Sequence, residues 1–180
     1  MAYFIYDGTD WNLIEYLDLS GTSQAAGADI AEFFPASESL EAGDLVSIDD
    51  TTPVTVKKGV ESDGQRNIGV ISTQPGLTLG EEAEGSYKVA LAGRVPVKVT
   101  QTSESIQIGD LIGASEIAGN AKKVNGGYIV GRALEAWTSG TGDNDVVIFV
   151  NPIYVAENVA SSMEQVASLE TRISNLELQL

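Results

Sequence analysis

The amino-acid sequence predicts a mainly β protein, a compact barrel or sandwich with an internal pseudo-repeat, followed by a C-terminal trimeric coiled-coil helix. Three observations indicate this fold class: short β-branched runs between turn residues, a repeated ten-residue segment, and a final stretch with heptad spacing. Nineteen glycines against five prolines also favour tight turns over disorder. The chain is accordingly divided into the parts 1–20, 21–27, 28–152 and 155–180.

Residues 1–20 are predicted to form a hairpin. The aromatic run Tyr3–Tyr6 and the apolar run Trp11–Ile14 flank Asp7-Gly8, which is a strong hairpin turn signal. Because an isolated hairpin is marginal in water, we expect it to pack on the main domain, a neighbouring subunit or an upstream segment. Small residues at 21–27 indicate a linker.

Residues 28–152 have the pattern of an all-β domain. Pro96 lies inside one of the apolar runs and predicts an edge or a bulge there, because proline cannot donate to a β-ladder. The predicted strands are 45–48, 54–56, 68–71, 87–91, 95–99, 111–112, 121–124, 128–130 and 146–150.

An internal repeat organises this domain. Ser39–Ile48 matches Ser105–Ala114, with an apolar residue before and after a Gly-Asp pair in each. Further on, 68–72 corresponds loosely to 129–133. Two similar halves of this kind are expected to interlock around a shared core with pseudo-twofold symmetry.

The two Gly-Asp pairs of the repeat, Gly43-Asp44 and Gly109-Asp110, have two interpretations. One is an anion or metal site. The other is a turn, in which glycine supplies a positive φ and the aspartate side chain bonds local backbone amides. The turn is the favoured interpretation.

Charge and missing residue types exclude several classes of function. Twenty-six acidic residues against ten basic ones give a net charge of −16, which repels nucleic-acid backbones and anionic membranes, so neither is an expected partner. The absence of histidine and cysteine removes the usual general base, the commonest zinc ligand and any disulfide, and no metal or cofactor is expected. Without an 18-residue apolar run or a basic N-terminal region, neither a transmembrane helix nor a signal peptide is expected.

Residues 155–180 have the seam of a coiled coil. Three heptads are marginal alone, so we expect the helix to depend on the adjoining β-domain for its register. Six of the seven seam positions are apolar: Val159, Val166, Ile173 and Leu180 at a, and Ser162, Leu169 and Leu176 at d, of which Ser162 is the exception.

Two features of the sequence give opposite indications of how many helices this coiled coil contains. Isoleucine at a with leucine at d ordinarily favours a dimer. Against that, Arg172–Glu177 has the Arg-apolar-x-x-apolar-Glu pattern that resembles trimer-specifying coiled coils, so a trimer is predicted. A dimer and a single helix folded back on its own domain remain the alternatives. The predicted trimer interface consists of Val159, Val166, Leu169, Arg172, Ile173, Leu176, Glu177 and Leu180.

One segment resembles a known family. Gly27–Phe34 reads Gly-Ala-Asp-Ile-Ala-Glu-Phe-Phe and resembles the signature of the self-cleaving, intramolecular-chaperone C-terminal domains of phage neck-appendage and tail-fibre proteins and related bacterial stalk proteins. The opening hairpin is similar to the shaft-end hairpins of such fibres. The resemblance spans approximately 27–152 and extends through 68–72, 89–97, 108–111, 130–135 and 147–150.

The resemblance implies an intramolecular chaperone. Such a domain forms a homotrimer, aligns three chains of an upstream fibre or stalk segment, and in some members then cleaves itself off. Its expected partners are its own copies and that upstream segment, and its expected location is a virion tail or an extracellular surface appendage.

Asp29 and Glu32 are the candidate catalytic residues for self-cleavage. Either the Asp29 carboxylate attacks its own C-terminal peptide carbonyl, or Glu32 activates a water or protonates the leaving amide. In a regular strand the two side chains point to opposite faces, so Glu32 needs a bend or a partner from a neighbouring chain. The structural alternative is that both carboxylates form buried hydrogen bonds, or inter-chain ion pairs with Arg94 or Arg132.

A receptor- or glycan-binding fibre tip is a third hypothesis. An exposed Trp137 or Tyr154 beside aspartate and asparagine side chains can stack on a sugar ring. Both aromatic residues lie inside apolar runs, however, which favours a place in the core or at a subunit interface.

Overall fold

The computed structural model describes residues 2–6, 11–16, 27–142 and 144–156 of the chain, and strands dominate these residues, which confirms the prediction of a mainly β protein. A short 3₁₀ helix spans Glu61–Arg66, and no helix in the described ranges is long and apolar enough to cross a membrane. The strands are β1 (Ala2–Tyr6), β2 (Trp11–Tyr16), β3 (Ala28–Pro35), β4 (Leu45–Ile48), β5 (Val56–Lys58), β6 (Asn67–Ile71), β7 (Leu77–Leu79), β8 (Ser86–Lys98), β9 (Leu111–Ala114), β10 (Ala121–Val124), β11 (Gly127–Ala133) and β12 (Asp145–Val155).

The strands form two sheets. β1 and β2 pair in antiparallel fashion, with Phe4 opposite Leu13, so the predicted hairpin is confirmed. The other ten strands form one sheet that curls into a half-barrel, rather than the closed barrel or two-sheet sandwich that the sequence predicts. Its order is β10-β9-β11-β12-β8-β6-β4-β5, with β3 paired to β8 and β7 paired in parallel to β3.

β8 is the longest strand and links the parts of this sheet. Along one side it pairs with β3, and along the other with β6 near its N-terminal end and with β12 near its C-terminal end. The sequence predicts two strands here, 87–91 and 95–99, which are in fact one strand interrupted by a bulge at Leu91. Pairing with β3 stops at Arg94, so Pro96 pairs only with β12, as predicted for an edge position.

The internal repeat is confirmed as a structural repeat. β4, β5, β6 and the first part of β8 follow one another and pair in the same order as β9, β10, β11 and β12. Val46 lies opposite Gly69, and the equivalent Ile112 lies opposite Gly131. The two glycines are therefore equivalent, which shifts the predicted correspondence of 68–72 with 129–133 by one residue.

The two Gly-Asp pairs begin the equivalent strands β4 and β9 as turns. Gly43 and Gly109 have φ angles of 79° and 90°, a region that favours glycine. Asp44 and Asp110 each accept a hydrogen bond from the backbone amide three residues earlier, at 2.8 Å in both turns. These bonds confirm the turn interpretation.

A lysine pairs with the aspartate of each turn. Lys98 Nζ lies 2.7 Å from both Asp44 Oδ1 and Glu41 Oε2, and Lys123 Nζ lies 2.8 Å from Asp110 Oδ2. Desolvation lowers the pKa of Lys98, but its two acidic partners outweigh this and raise it overall. For the acidic Asp110, desolvation has the opposite effect and raises the pKa. The contact with Lys123 outweighs this, so the net effect is a lowered pKa. Both turns are therefore fixed by charge as well as by backbone bonds.

The two halves differ in the connection between their second and third strands. In the first half this connection contains the 3₁₀ helix, whose buried Asp63 accepts hydrogen bonds from Ser47 Oγ and Arg66 Nη2, both at 2.8 Å. Desolvation raises the pKa of Asp63, but these partners and Lys57 make the net shift a lowering. In the second half only two residues, Asn125 and Gly126, separate β10 from β11.

The main hydrophobic core is shared between the halves, as the repeat predicts. A second, smaller cluster lies on the other face of the first half and contains Leu40, Val46, Val56, Ile71 and Val89. The main core consists of Leu45, Val70, Ala90, Val95, Val97, Val99, Ile106, Ile112, Ala114, Ala121, Val130, Ala133, Trp137, Val146, Ile148 and Val150. The first half thus buries both faces of its sheet.

The equivalent glycines Gly69 and Gly131 permit close approach between neighbouring strands. A Cβ atom on Gly69 would lie 2.3 Å from the carbonyl oxygen of Ala90, and one on Gly131 would lie 2.2 Å from that of Phe149. Real Cβ atoms do not approach a backbone oxygen this closely, so any larger residue must displace a strand.

We expect Gly69→Ala and Gly131→Ala each to lower the free energy of unfolding by about 1–3 kcal/mol, the usual cost of overpacking a close-packed site. Urea unfolding followed by circular dichroism measures the change. Gly113→Ala is the matched control, because its Cβ would lie 3.1 and 3.2 Å from the methyl groups of Val124 and 3.4 Å from the carbonyl oxygen of Tyr128, which is an ordinary contact distance. Equal losses in all three variants would contradict the role of the two carbonyl contacts.

Candidate functional site

Asp29 lies on β3, at the point where this strand pairs with β8 and meets the loop after β6. It is directly opposite Gly93, and its carbonyl oxygen accepts a hydrogen bond of 2.9 Å from the amide of Gly76. Gly93 has a φ angle of 111°, and a Cβ there would lie 2.3 Å from the carbonyl oxygen of Ala28. The backbone around Asp29 is therefore held on two sides by glycines that approach it closely.

The carboxyl group of Asp29 is buried without a complete set of partners. The residue is 5 % exposed, Ser72 beside it is 7 % exposed, and neither Asp29 Oδ2 nor Ser72 Oγ has a hydrogen-bond partner within the described part of the chain. Desolvation raises the pKa of Asp29, and the neighbouring Ser72 hydroxyl and the Asp29 backbone amide only partly oppose the rise. Ser72 thus lies close enough to act on the carboxyl electrostatically, although the geometry does not complete a hydrogen bond between them.

Glu32 lies on the other face of β3. Along this strand Asp29 and Ala31 are buried while Ala28 and Ile30 are exposed, and Glu32 follows on the exposed face in half-buried surroundings. The bulge in this ladder inserts Leu91 into β8 and leaves β3 regular. The two predicted catalytic carboxylates are consequently not brought together within one chain, and their action as a pair stays a prediction.

The arginines considered as partners for these carboxylates lie on the exposed face of the sheet. Arg94 is opposite Ala28, one position beyond Asp29, so it faces away from the buried carboxyl. Arg132 is exposed on β11. Among the described residues neither arginine forms an ion pair with Asp29 or Glu32, and the inter-chain pairing considered for them stays untested.

The aromatic residues considered for glycan binding have different environments. Trp137 is 4 % exposed, belongs to the main core and forms a bridge with Ile106, as its apolar surroundings predict. Tyr154 is 62 % exposed and packs edge-on against Tyr128, with ring centroids 5.0 Å apart. Of the two, only Tyr154 has a ring accessible from solvent.

The predicted coil lies outside the described residues. β12 ends at Val155, three residues beyond the predicted end of the β-domain, and the described part of the chain stops at Ala156. The heptad residues from Val159 to Leu180 are therefore known only from the sequence, and so are residues 21–26 of the predicted linker.

Two solved structures share this fold. One is the crystal structure of the pre-mature bacteriophage phi29 gene product 12, which matches with a TM-score of 0.52 and 17 % identity over 79 % of this chain and 23 % of that one. The other is a C-terminal fragment of the same gene product, with a TM-score of 0.52 and 19 % identity over 68 % of this chain and 100 % of the fragment. The chain thus spans about a quarter of the longer protein. No protein-family model and no curated protein sequence matches the chain.

We expect Asp29→Asn to raise the free energy of unfolding at pH 7 by about 1 kcal/mol or more, because it removes a buried charge with an unpartnered oxygen. The pKa of Asp29 is raised in the folded state, so folding favours its proton and the stability of the unmodified protein falls as pH rises from about 3.9 through the folded pKa. The advantage of the variant should therefore shrink as pH is lowered towards 3.9.

Urea unfolding at several pH values measures this difference. Asp145→Asn, at an exposed aspartate of β12, is the matched control and should change little. An Asp29→Asn variant that is less stable than the unmodified chain at pH 7 would show that the charged carboxylate has a favourable partner.

Proposed function

We propose that this chain is a homotrimerisation and intramolecular-chaperone module at the end of a fibre or stalk protein, where it aligns three chains for folding. The observation that carries the proposal is the likeness to the phi29 gene product 12 fragment, all of which is covered by this fold. The heptad spacing of 155–180 supports the trimer, and β12 ends at Val155, where this segment begins. A virion tail or an extracellular appendage is the proposed location.

The physical benefit of such a module is a higher local concentration of the chains that must pair. A fibre made of several chains depends on contacts that are distant or intermolecular, and such contacts form slowly. Three chains joined at one end meet at effective concentrations in the millimolar range, in order of magnitude. A rigid β-domain beside the coil also fixes the relative register of the three chains.

Light scattering of the full chain tests the assembly. We expect a particle of three times the 18.9 kDa chain mass. Deletion of residues 157–180 should reduce it to a folded monomer or a weak oligomer, because three heptads of apolar seam are lost. The far-ultraviolet circular dichroism of the truncated protein serves as the folding control. A full chain that is monomeric at all concentrations would overturn the proposal.

A fusion experiment tests the chaperone activity. An upstream fibre segment fused to the full chain should refold into a trimer that resists denaturation by detergent, with a markedly lower yield when residues 157–180 are deleted. Equal yields from both fusions would show that the coil does not align the upstream chains.

A second candidate function is a single self-cleavage beside Asp29. The buried Asp29 carboxyl favours it, since its Oδ2 has no hydrogen-bond partner among the described residues and its pKa is raised, and one structural neighbour is named a pre-mature form. In the proposed step, a carboxyl oxygen of Asp29 bonds to its own backbone carbonyl carbon and the bond to the Ile30 nitrogen breaks. The carboxyl proton moves to the leaving amine, and water then opens the resulting cyclic anhydride to restore the Asp29 side chain and a new C-terminus.

Intact mass measured at intervals after purification tests this step. Cleavage should yield residues 1–29 and 30–180, and Asp29→Asn should abolish it. Glu32→Gln distinguishes a contribution from the second carboxyl, which would have to come from a neighbouring chain. A stable 18.9 kDa chain in the trimeric state would exclude self-cleavage without affecting the trimerisation proposal.

A further inference from the structure

Equivalent positions of the two repeats differ in burial along one row of the sheet. In the first half, Leu45, Val70 and Ala90 lie side by side on β4, β6 and β8, and each is fully buried in the main core. The equivalent row of the second half lies on β9, β11 and β12 and has an exposed surface. It consists of Leu111, which is half-buried, Arg132, which is exposed, and Phe149, which is 47 % exposed.

This exposed row continues onto the neighbouring strands. Phe149 lies opposite Arg94 of β8, and Arg94 lies opposite Ala28 of β3, which is exposed as well. We call the five residues Ala28, Arg94, Phe149, Arg132 and Leu111 the outer row. At its centre a large aromatic side chain is flanked on both sides by arginine.

The two arginines of the outer row lack acidic partners within the described part of the chain. Six other lysines and arginines form ion pairs there, and Lys88 lies 5.6 Å from the ring centre of Phe33. In a protein of net charge −16, two arginines on either side of one aromatic residue, without an ion pair to any carboxylate among the described residues, are an exception. Arginines without an ion pair beside an exposed aromatic ring are typical of a protein–protein interface, where both residue types are enriched and arginine can pair with carboxylates of the partner.

The outer row also lies close to the place where the chain leaves the sheet. Phe149 is six residues before Val155, a distance of about 20 Å along a strand. Between them Ile153 and Tyr154 are 41 % and 62 % exposed, so apolar surface continues towards the predicted coil. Helices of a coiled coil pack about 8–10 Å apart, so copies joined through 155–180 would have the ends of their β12 strands near one another.

We propose that the outer row binds a second copy of this chain, with Phe149 as the buried anchor and with Arg94 and Arg132 paired to carboxylates of that copy. The inference rests on the proposed assembly and adds the surface that the β-domain contributes to it. A second copy fits the charge, because the chain has 26 acidic residues and its segment 157–180 carries four glutamates against one arginine. It also fits the position, because the predicted coil brings copies of the chain to this end of β12.

Photocrosslinking of the full chain identifies what contacts Phe149. A p-benzoylphenylalanine residue replaces Phe149 in one variant and Ile108, which is 72 % exposed on a turn, in the control. We expect irradiation of the first variant to give a species of twice the 18.9 kDa chain mass on a denaturing gel, and the control to give little. Crosslinks confined to one chain would show that its own C-terminal segment covers the row and would overturn the proposal, as would the absence of crosslinks.

Charge reversal gives an independent measurement that does not depend on a crosslinker. Arg132→Glu should weaken assembly by about tenfold or more in a light-scattering dilution series, as expected for loss of an interface anchor. Lys88→Glu changes the net charge equally at another unpaired cation and should leave assembly within about twofold. Circular dichroism shows that both variants are folded.

The outcomes separate this inference from the proposed function. An unmodified chain that is monomeric would overturn the assembly itself. The unmodified chain could instead be trimeric and its assembly unchanged by Arg132→Glu. That result would mean that the coil alone holds the trimer together, and it would overturn the role of the outer row.

Discussion

The antiparallel ladder between β8 and β12 is the interaction on which the rest of the structure depends. It runs from the pair Lys98–Asp145 to the pair Gly93–Val150 and joins the two repeated halves. Because each half alone would leave the apolar side of its four strands open to water, the shared core exists only when this ladder is formed. This ladder places Arg94 beside Phe149, and its Gly93 also lies opposite Asp29 on the other side of β8, in the ladder with β3. The candidate site and the outer row therefore lie on opposite faces of the sheet, around the same part of β8.

Much of this architecture could be predicted from local sequence, because β-branched runs and Gly-Asp turns specify strands and their connections without long-range information. β4 and β10 have the bounds that the sequence predicts. β7 could not be found in this way, since three residues between Gly76 and Gly80 form a strand only through parallel pairing with β3. Ser72 was also beyond sequence reasoning, because its proximity to Asp29 is set by the fold and no motif links the two positions. The half-barrel shape depends on which strands pair with each side and each end of β8. The periodicity of apolar residues in the sequence does not indicate these partners.

The repeat shows how two copies of one motif acquire different roles. Both halves keep the turn, the glycine that admits a neighbouring carbonyl, and an equivalent lysine beside the aspartate: Lys58 lies 3.8 Å from Asp44, and Lys123 lies 2.8 Å from Asp110. The side chains of the two equivalent rows, one of which is part of the outer row, are not constrained by the backbone in this way. The row of the first half lies on the concave face of the curled sheet, where the second half covers it. The equivalent row of the second half lies on the convex face, where the first half of the same chain cannot cover it. The equivalent positions 70 and 132 show the difference: the buried row has Val70, and the exposed row has Arg132.

The position of β12 has a mechanical consequence. This strand pairs with β11 on one side and with β8 on the other, and it ends at Val155, the first residue of the predicted coil segment. A pull on the C-terminal end therefore acts along the strand axis and loads the hydrogen bonds of both ladders in shear, so that many must break together. The same pull along an edge strand such as β10 would load the bonds of one ladder only. Among the described strands, the one that leads towards the predicted coil is thus held in the geometry that best resists tension.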